Sequence, residues 1–367
     1  WKHQQLNLPV TPITDLIVHN GNLIASTMGR AFWILDDLNV FREFSGSDTT
    51  KKFEILKPAD AYRVSGSSTL DATQGEDDEA PAIASAGTNP PTGVSIYYLV
   101  PAKPDSIQLT LDILNEKGQL VRSYSSKPDK KFVKFPGGPE ANPVLPNKPG
   151  LNHFVWDIRH TTLPGVRDVF IEGSYKGRRA VPGIYHARLK TDKEEKNTSL
   201  KVLPDPRINV GPADYAEQEQ ILAEIDGTIK DIHSSVNQMR VVRKQITELN
   251  DLLIDTVKYK TIIDSGKSLV KKLTGWEEKL VQPKSQSNDD VINFVNMLSA
   301  NYIFLKGEND VNTPVVTAGS RERLTVLNEQ WQPIKNEYEN LQKQVEDFNT
   351  LCRNTGIEKI TVPEIKE

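Results

Sequence analysis

The chain has 367 residues, 37% apolar and 26% charged, an ordinary globular balance spread over more residues than one core usually serves. Its formal charge of −4 splits into +2 for residues 1–204 (25 Lys+Arg against 23 Asp+Glu) and −6 for residues 205–367 (20 against 26). Neither half has the basic excess that a phosphate backbone demands, so no nucleic-acid partner is expected. One cysteine, Cys352, excludes an internal disulfide and a cysteine-built zinc site, and no apolar run reaches the roughly 18 residues of a transmembrane helix. Trp1, with no export-signal pattern after it, makes the sequence read as a fragment or processed product.

In chain order, Ile13, Leu16, Ile17 and Val18 precede the turn signal Asn20-Gly21-Asn22, then Leu23-Ile24-Ala25 and Phe32-Trp33-Ile34-Leu35. These spell short strands joined by hairpins. Such a small sheet cannot bury its own faces and needs a neighbour. Residues 39–65 read as an extended connector with one more strand around Lys57–Val64. Residues 66–93, with Glu76-Asp77-Asp78-Glu79 and few large apolar groups, read as a flexible acidic, Pro-rich linker.

Strand patterns return at Val94–Val100. Ile107, Leu109, Leu111 and Ile113 alternate with period two. Glu116-Lys117-Gly118 turns the chain into Gln119–Tyr124, and residues 153–157, Tyr185–Leu189 and Ser199–Leu203 follow. The set predicts an Ig or fibronectin-III-like β-sandwich over 94–204. After Asp205-Pro206 the apolar residues step by three and four along four stretches: Ile225 to Leu253, Ile262 to Leu280, Val291 to Leu305, and Leu324 to Cys352. This rhythm predicts four amphipathic helices over 205–360, packed as an antiparallel four-helix bundle with long helices.

The stretch Ala25-Ser26-Thr27-Met28-Gly29-Arg30-Ala31-Phe32-Trp33 resembles the closing blade of sortilin-like β-propellers, with Ala31 where a glycine is common. Gly118-Gln119-Leu120-Val121-Arg122, Trp156-Asp157 and Val181-Pro182-Gly183-Ile184-Tyr185 resemble an Ig-like module of the flagellar hook-cap type, with Asn115 in place of the usual Asp. Taken in order with Asp205-Pro206-Arg207 and the helices, they resemble the C-terminal portion of bacterial sortilin-like, BNR-repeat "glycosyl hydrolase" proteins. The resemblance implies propeller-like strands in residues 1–65 and export to the periplasm or cell surface. It also implies that any hydrolase activity belongs to an upstream propeller.

No catalytic, cofactor or metal residues emerge. The six histidines lack metal-ligand spacing. Asp36-Asp37 point apart on a strand, and no Gly-x-Ser-x-Gly elbow is present. Arg30 and Trp33 are the ligand-binding candidates, Trp33 as a ring that stacks on a sugar or, alternatively, as packing between blades. Asp157 and Arg159 are expected to form an ion pair at a strand edge. Lys176-Gly177-Arg178-Arg179 is expected to be a solvated loop, and Cys352 a buried seam residue. The expected function is a non-catalytic accessory region binding or scaffolding a protein or glycan partner at the cell envelope. The alternative is the tail of a glycoside hydrolase. Oligomeric state stays open.

Overall fold

The computed structural model describes residues 5–43, 52–64, 90–102, 108–357 and 359–364. Most of the expected linker, with its Glu76–Glu79 run, and Ile107 lie outside the described residues. The chain divides into two compact units. One comprises Trp1–Pro128, Pro143–Ile158 and Pro182–Pro206; the other comprises Asp129–Asn142, Arg159–Val181 and Arg207–Glu367.

In the first unit, β1 (Ile13–His19), β2 (Asn22–Thr27) and β3 (Phe32–Leu35) form an antiparallel meander in that order. Asn20 and Gly21 both take left-handed φ, 49° and 79°, between the paired His19 and Asn22. The hairpin turn expected at Asn20-Gly21-Asn22 thus forms over the first two residues, and Asn22 opens β2. A short helix, α1 (Leu38–Glu43), follows. A three-stranded sheet has the order β4-β6-β9, from β4 (Glu54–Ile55), β6 (Val94–Val100) and β9 (Gly150–Trp156). A five-stranded sheet runs β5-β11-β10-β7-β8, from β5 (Ala61–Tyr62), β7 (Thr110–Asn115), β8 (Leu120–Ser125), β10 (Gly183–Lys190) and β11 (Glu195–Leu203). Alternation buries Ile96 and Tyr98 of β6, Phe154 and Trp156 of β9, and Tyr185, Ala187 and Leu189 of β10. Tyr124 meets Phe154 edge-on at 4.6 Å and Trp156 meets Tyr185 at 5.1 Å, so aromatic rings from the two sheets touch.

In the second unit, α2 (Pro212–Leu252) opens with Pro212 at its first position, while the Asp214 carboxylate accepts the Gly211 N–H at 2.8 Å. Its 41 residues span about 60 Å. α3 (Lys260–Glu277), the four-residue α4 (Asp290–Asn293), α5 (Leu298–Asn309) and α6 (Ala318–Asn354) follow. Thr317 caps α6, its hydroxyl accepting the Ser320 N–H at 3.1 Å.

The expected fold class, an all-β part followed by an all-α part, is corrected. Among the described residues helix (37%) and strand (21%) are mixed, in three small sheets and six helices, with no four-helix bundle and no clear all-β sandwich. Three physical reasons account for this. First, β4 and β5, from the connector before residue 94, hydrogen-bond into the two sheets, β5 parallel to β11. β4, two residues long, carries no periodic signal, and the strand expected around Lys57–Val64 forms only as the two-residue β5. Second, among the described residues the strands expected to be propeller-like form a separate sheet of three, whereas propeller blades have four strands.

Third, the helices make three legs rather than four. α3 runs antiparallel to α2, with Arg243 bonded to Thr274 and Arg240 to Glu277. α5 also runs antiparallel to α2, with Gln218 bonded to the Asn309 carbonyl. α6 runs parallel to α2, through Arg321–Glu217 and Asn328–Glu224. The break between α3 and α5 therefore interrupts one leg without reversing it, and Val295, expected on the third seam, is exposed. A non-helical segment completes the core: Leu163, Val166, Val169, Ile171 and Tyr175 are buried in the same cluster as Ile229, Ile232 and Val236. Residues 159–181 are called the strap below.

Candidate functional site

Arg30 and Trp33 share the hairpin between β2 and β3. The turn closes through Thr27, whose hydroxyl donates to the Ala31 carbonyl at 2.7 Å, and the Trp33 indole N–H donates to the Arg30 carbonyl at 2.8 Å. Arg30 is exposed and Trp33 half-buried. The bond to the Arg30 backbone fixes the indole edge, and among the described residues the Arg30 side chain makes no ion pair.

The expected Asp157–Arg159 pair does not form. β9 ends at Trp156, and Ile158 takes φ 54°, which breaks the strand's alternation. Asp157 instead accepts from Arg122 at 3.0 Å, and Arg159 pairs with Asp310 at 2.5 Å. Asp36 and Asp37 lie just past β3. The Tyr97 hydroxyl donates to Asp37 at 3.1 Å, and His153 stacks on Tyr97 at 4.4 Å. Burial and the neighbouring Asp37 raise the Asp36 carboxyl, while burial lowers His153.

The densest polar assembly of the second unit lies where the strap meets α2 and α5. Gly173, at φ 134°, lets the strap approach α5: a Cβ there would stand 2.4 Å from the Ile303 side chain. The basic cluster expected to be solvated is engaged. Arg178 donates to Glu219 at 2.8 Å and, through its backbone, to Asp226 at 3.1 Å. The Arg179 N–H donates to Asp310 at 3.1 Å. Lys306, buried on α5, donates to the Lys176 carbonyl at 2.7 Å and lies 3.6 Å from Asp310. The sequence suggested solvent because it did not bring Glu219, Asp226 and Asp310 to the loop. Burial pushes Asp226 up and Lys306 down, and burial followed by the nearby Arg178 charge pushes His160 down to about 3. Four cations and three carboxylates meet here, with side chains at most 28% exposed. Each carboxylate is already engaged by a cation, so the cluster clamps the strap.

His233 and Ser299 form a buried pair that resembles a nucleophile with its base. His233 Nε2 faces Ser299 Oγ, and Nδ1 lies 2.6 Å from the Pro164 carbonyl oxygen. A carbonyl only accepts, so Nδ1 carries the proton and Nε2 accepts from the serine. Both residues are fully buried, and a carbonyl stands where a triad has a carboxylate. The hydroxyl donates to nitrogen and no substrate reaches it. The pair is a core hydrogen bond. Among the described residues no three His, Cys, Asp or Glu side chains gather as metal ligands would, and no helix is long and apolar enough to cross a membrane.

No family model and no curated protein matches the chain. A solved structure titled pT26-6p is 13% identical, with a TM-score of 0.12, over 71% of this chain and 48% of that one, so the chain spans about half that protein's length. A likeness this slight carries no argument about fold or function.

The residues that sequence reasoning missed had one trace. Glu219, Asp226, His233 and Arg240 stand at strict intervals of seven along α2, a polar stripe beside the apolar seam. Each meets the strap: Glu219 and Asp226 through Arg178, His233 at the Pro164 carbonyl and Arg240 at the Arg167 carbonyl.

Proposed function

We propose that this chain is a non-catalytic accessory and interaction region of a larger exported protein, in which the β1–β3 meander is held between two protein layers contributed from outside the chain. This keeps the accessory role implied by the resemblance to envelope proteins. The observation that carries it is the meander's composition on both faces. Register places Ile17, Ile24 and Ile34 in one row with Phe32 beside them, and Leu16, Ala25 and Trp33 in a row on the opposite face with Val18, Leu23 and Leu35 beside them. Phe32 is 75% exposed and Leu16 57%. A sheet with one wet face alternates apolar and polar residues; one apolar on both faces is covered on both. A second copy packing face to face covers only one side, so the occupants are two apolar protein surfaces, one for each face.

The test is to place a charge on each face separately, as Phe32→Asp and Leu16→Asp, in the protein as its producer makes it. Each variant is expected to abolish stable accumulation of the intact protein while leaving the melting temperature of residues 1–367 within about 2 °C, as exposed positions do. Normal accumulation of both variants contradicts the reading.

A further inference from the structure

A second polar stripe runs along α2 at intervals of seven, from Glu217 to Gln245, and α6 carries its counterpart at the same intervals, from Arg321 to Asn349. The helices are parallel, so the two stripes meet rung by rung. The first three rungs carry carboxylates and close directly. Arg321 donates to Glu217 at 2.8 Å, Asn328 donates to Glu224 at 2.6 Å, and Lys335 lies 3.6 Å from Asp231. The last two rungs are neutral amides, Gln238 with Gln342 and Gln245 with Asn349, and an extended segment is bound there. Asn349 accepts the Ile360 N–H at 2.8 Å and donates to the Ile360 carbonyl at 3.0 Å. Gln245 does the same for Thr361, at 2.7 and 2.9 Å. Gln238, which accepts from the Tyr338 hydroxyl, donates to the Pro363 carbonyl, and that hydroxyl accepts from Gln342 at 3.0 Å. Among the described residues no hydrogen bond runs within 359–364. Only Ile360 of this segment is buried, at 6% exposure; Thr361 is exposed, and Val362 and Pro363 are half-buried.

The change from charged to amide rungs falls where a backbone is captured, and the chemistry explains it. A carboxylate only accepts and an ammonium only donates, whereas an amide does both and so serves the N–H and C=O of one residue together. Successive residues of an extended chain turn those groups to opposite sides, so α6 reads Ile360 and α2 reads Thr361. The amides stand where neighbouring strands stand in a sheet. We infer that the two amide rungs form a slot that receives an extended segment by its backbone. Residues 359–363 are its removable occupant, and an uncharged extended segment of a partner chain takes their place. One aliphatic side chain, seated as Ile360 is, anchors the ligand, and backbone capture leaves the following positions open in sequence. The slot lies in the second unit and the meander in the first, so the two readings fail independently.

Opening the slot uncovers one buried side chain, whereas opening α2 or α6 uncovers a whole seam. In hydrogen exchange on the full chain, the amides of Ile360 and Thr361 are therefore expected to exchange on the order of a hundredfold faster than those of Ile246 and Val345 in the flanking helices. Ile360→Asp is expected to release the segment while the helix amides keep their rates. That variant is then expected to bind a labelled peptide of residues 359–364 saturably, and to bind the same peptide carrying Thr361→Val equally well. N-methylation of the peptide at Ile360 and Thr361 is expected to weaken binding about tenfold, as is Gln245→Leu in the chain. One common exchange rate for segment and helices overturns the inference. So does a released segment that the peptide cannot replace, or an N-methylated peptide that binds unimpaired.

Discussion

His233 and Pro164 are joined side chain to backbone across 69 residues of sequence, the imidazole Nδ1 lying 2.6 Å from the proline carbonyl. The same ring meets Ser299 of α5 through Nε2, so one neutral histidine links the strap to two helices. Both nitrogens are occupied in that tautomer, and a proton on Nε2 would break the bond from Ser299.

The fold is therefore expected to be acid-sensitive in a defined window. Burial holds His233 down to about 4 and His160 to about 3, whereas an unfolded histidine titrates near 6.5. Below about 6.5 the unfolded chain takes up protons that the folded chain refuses. Their contribution is therefore complete above that pH and is lost as pH falls toward the folded values. Asp226, raised by burial, acts with the opposite sign, its contribution growing as pH falls. For His233 alone the loss is about 2 kcal/mol by pH 5. Urea midpoints measured from pH 7.5 to 5 are expected to fall, and His233→Gln to flatten the slope. An unchanged slope in that variant contradicts the assignment.

Asp310 faces Arg159 at 2.5 Å, Lys306 at 3.6 Å and the Arg179 N–H at 3.1 Å. Asp310→Ala leaves these buried cations without their shared carboxylate and is expected to cost about 3–5 kcal/mol. The exposed helical pair Lys260–Asp264 serves as control, with Lys260→Ala expected to change unfolding by less than about 0.5 kcal/mol. Equal effects in urea titrations contradict the clamp.

Gly173→Ala adds a methyl 2.4 Å from the Ile303 side chain, at a φ of 134° that L-residues avoid. The expected cost is about 2–4 kcal/mol. Combining it with Ile303→Ala removes the steric part but not the backbone part, so the double mutant is expected to show coupling in unfolding free energy. Strict additivity contradicts a direct clash.

Helix and strand positions were legible wherever a period persisted. The seam of α6 from Leu324 to Cys352 is buried at most of the steps its spacing names, and the Asn20-Gly21 turn formed as its residues require. Assembly was not legible. Spacing alone cannot tell a break that reverses a leg from one that merely interrupts it, as the stretch from Glu278 to Met297 does. Nor does a loop sequence announce burial: Val166 and Val169 are separated by the charged pair Arg167-Asp168, and with Ile171 they fit neither a strand nor a helix period over a useful length. Lys176–Arg179 looked solvated because its carboxylate partners stand 41 or more residues away. Of the site candidates, Arg30 and Trp33 fall on one hairpin, as their proximity in sequence dictates. The α2 stripe at intervals of seven was visible as polar residues only, without an indication of what they touch.

The most direct test of the account is maleimide labelling of single cysteines on the two meander faces, Phe32→Cys and Leu16→Cys. The native Cys352 is wholly buried and stays silent. In residues 1–367 alone both positions are expected to label at the rate of a free thiol. In the protein as its producer makes it, both are expected to be protected at least tenfold, because both faces are covered. Free labelling of both positions in the producer's protein contradicts the claim that the meander is an interaction surface.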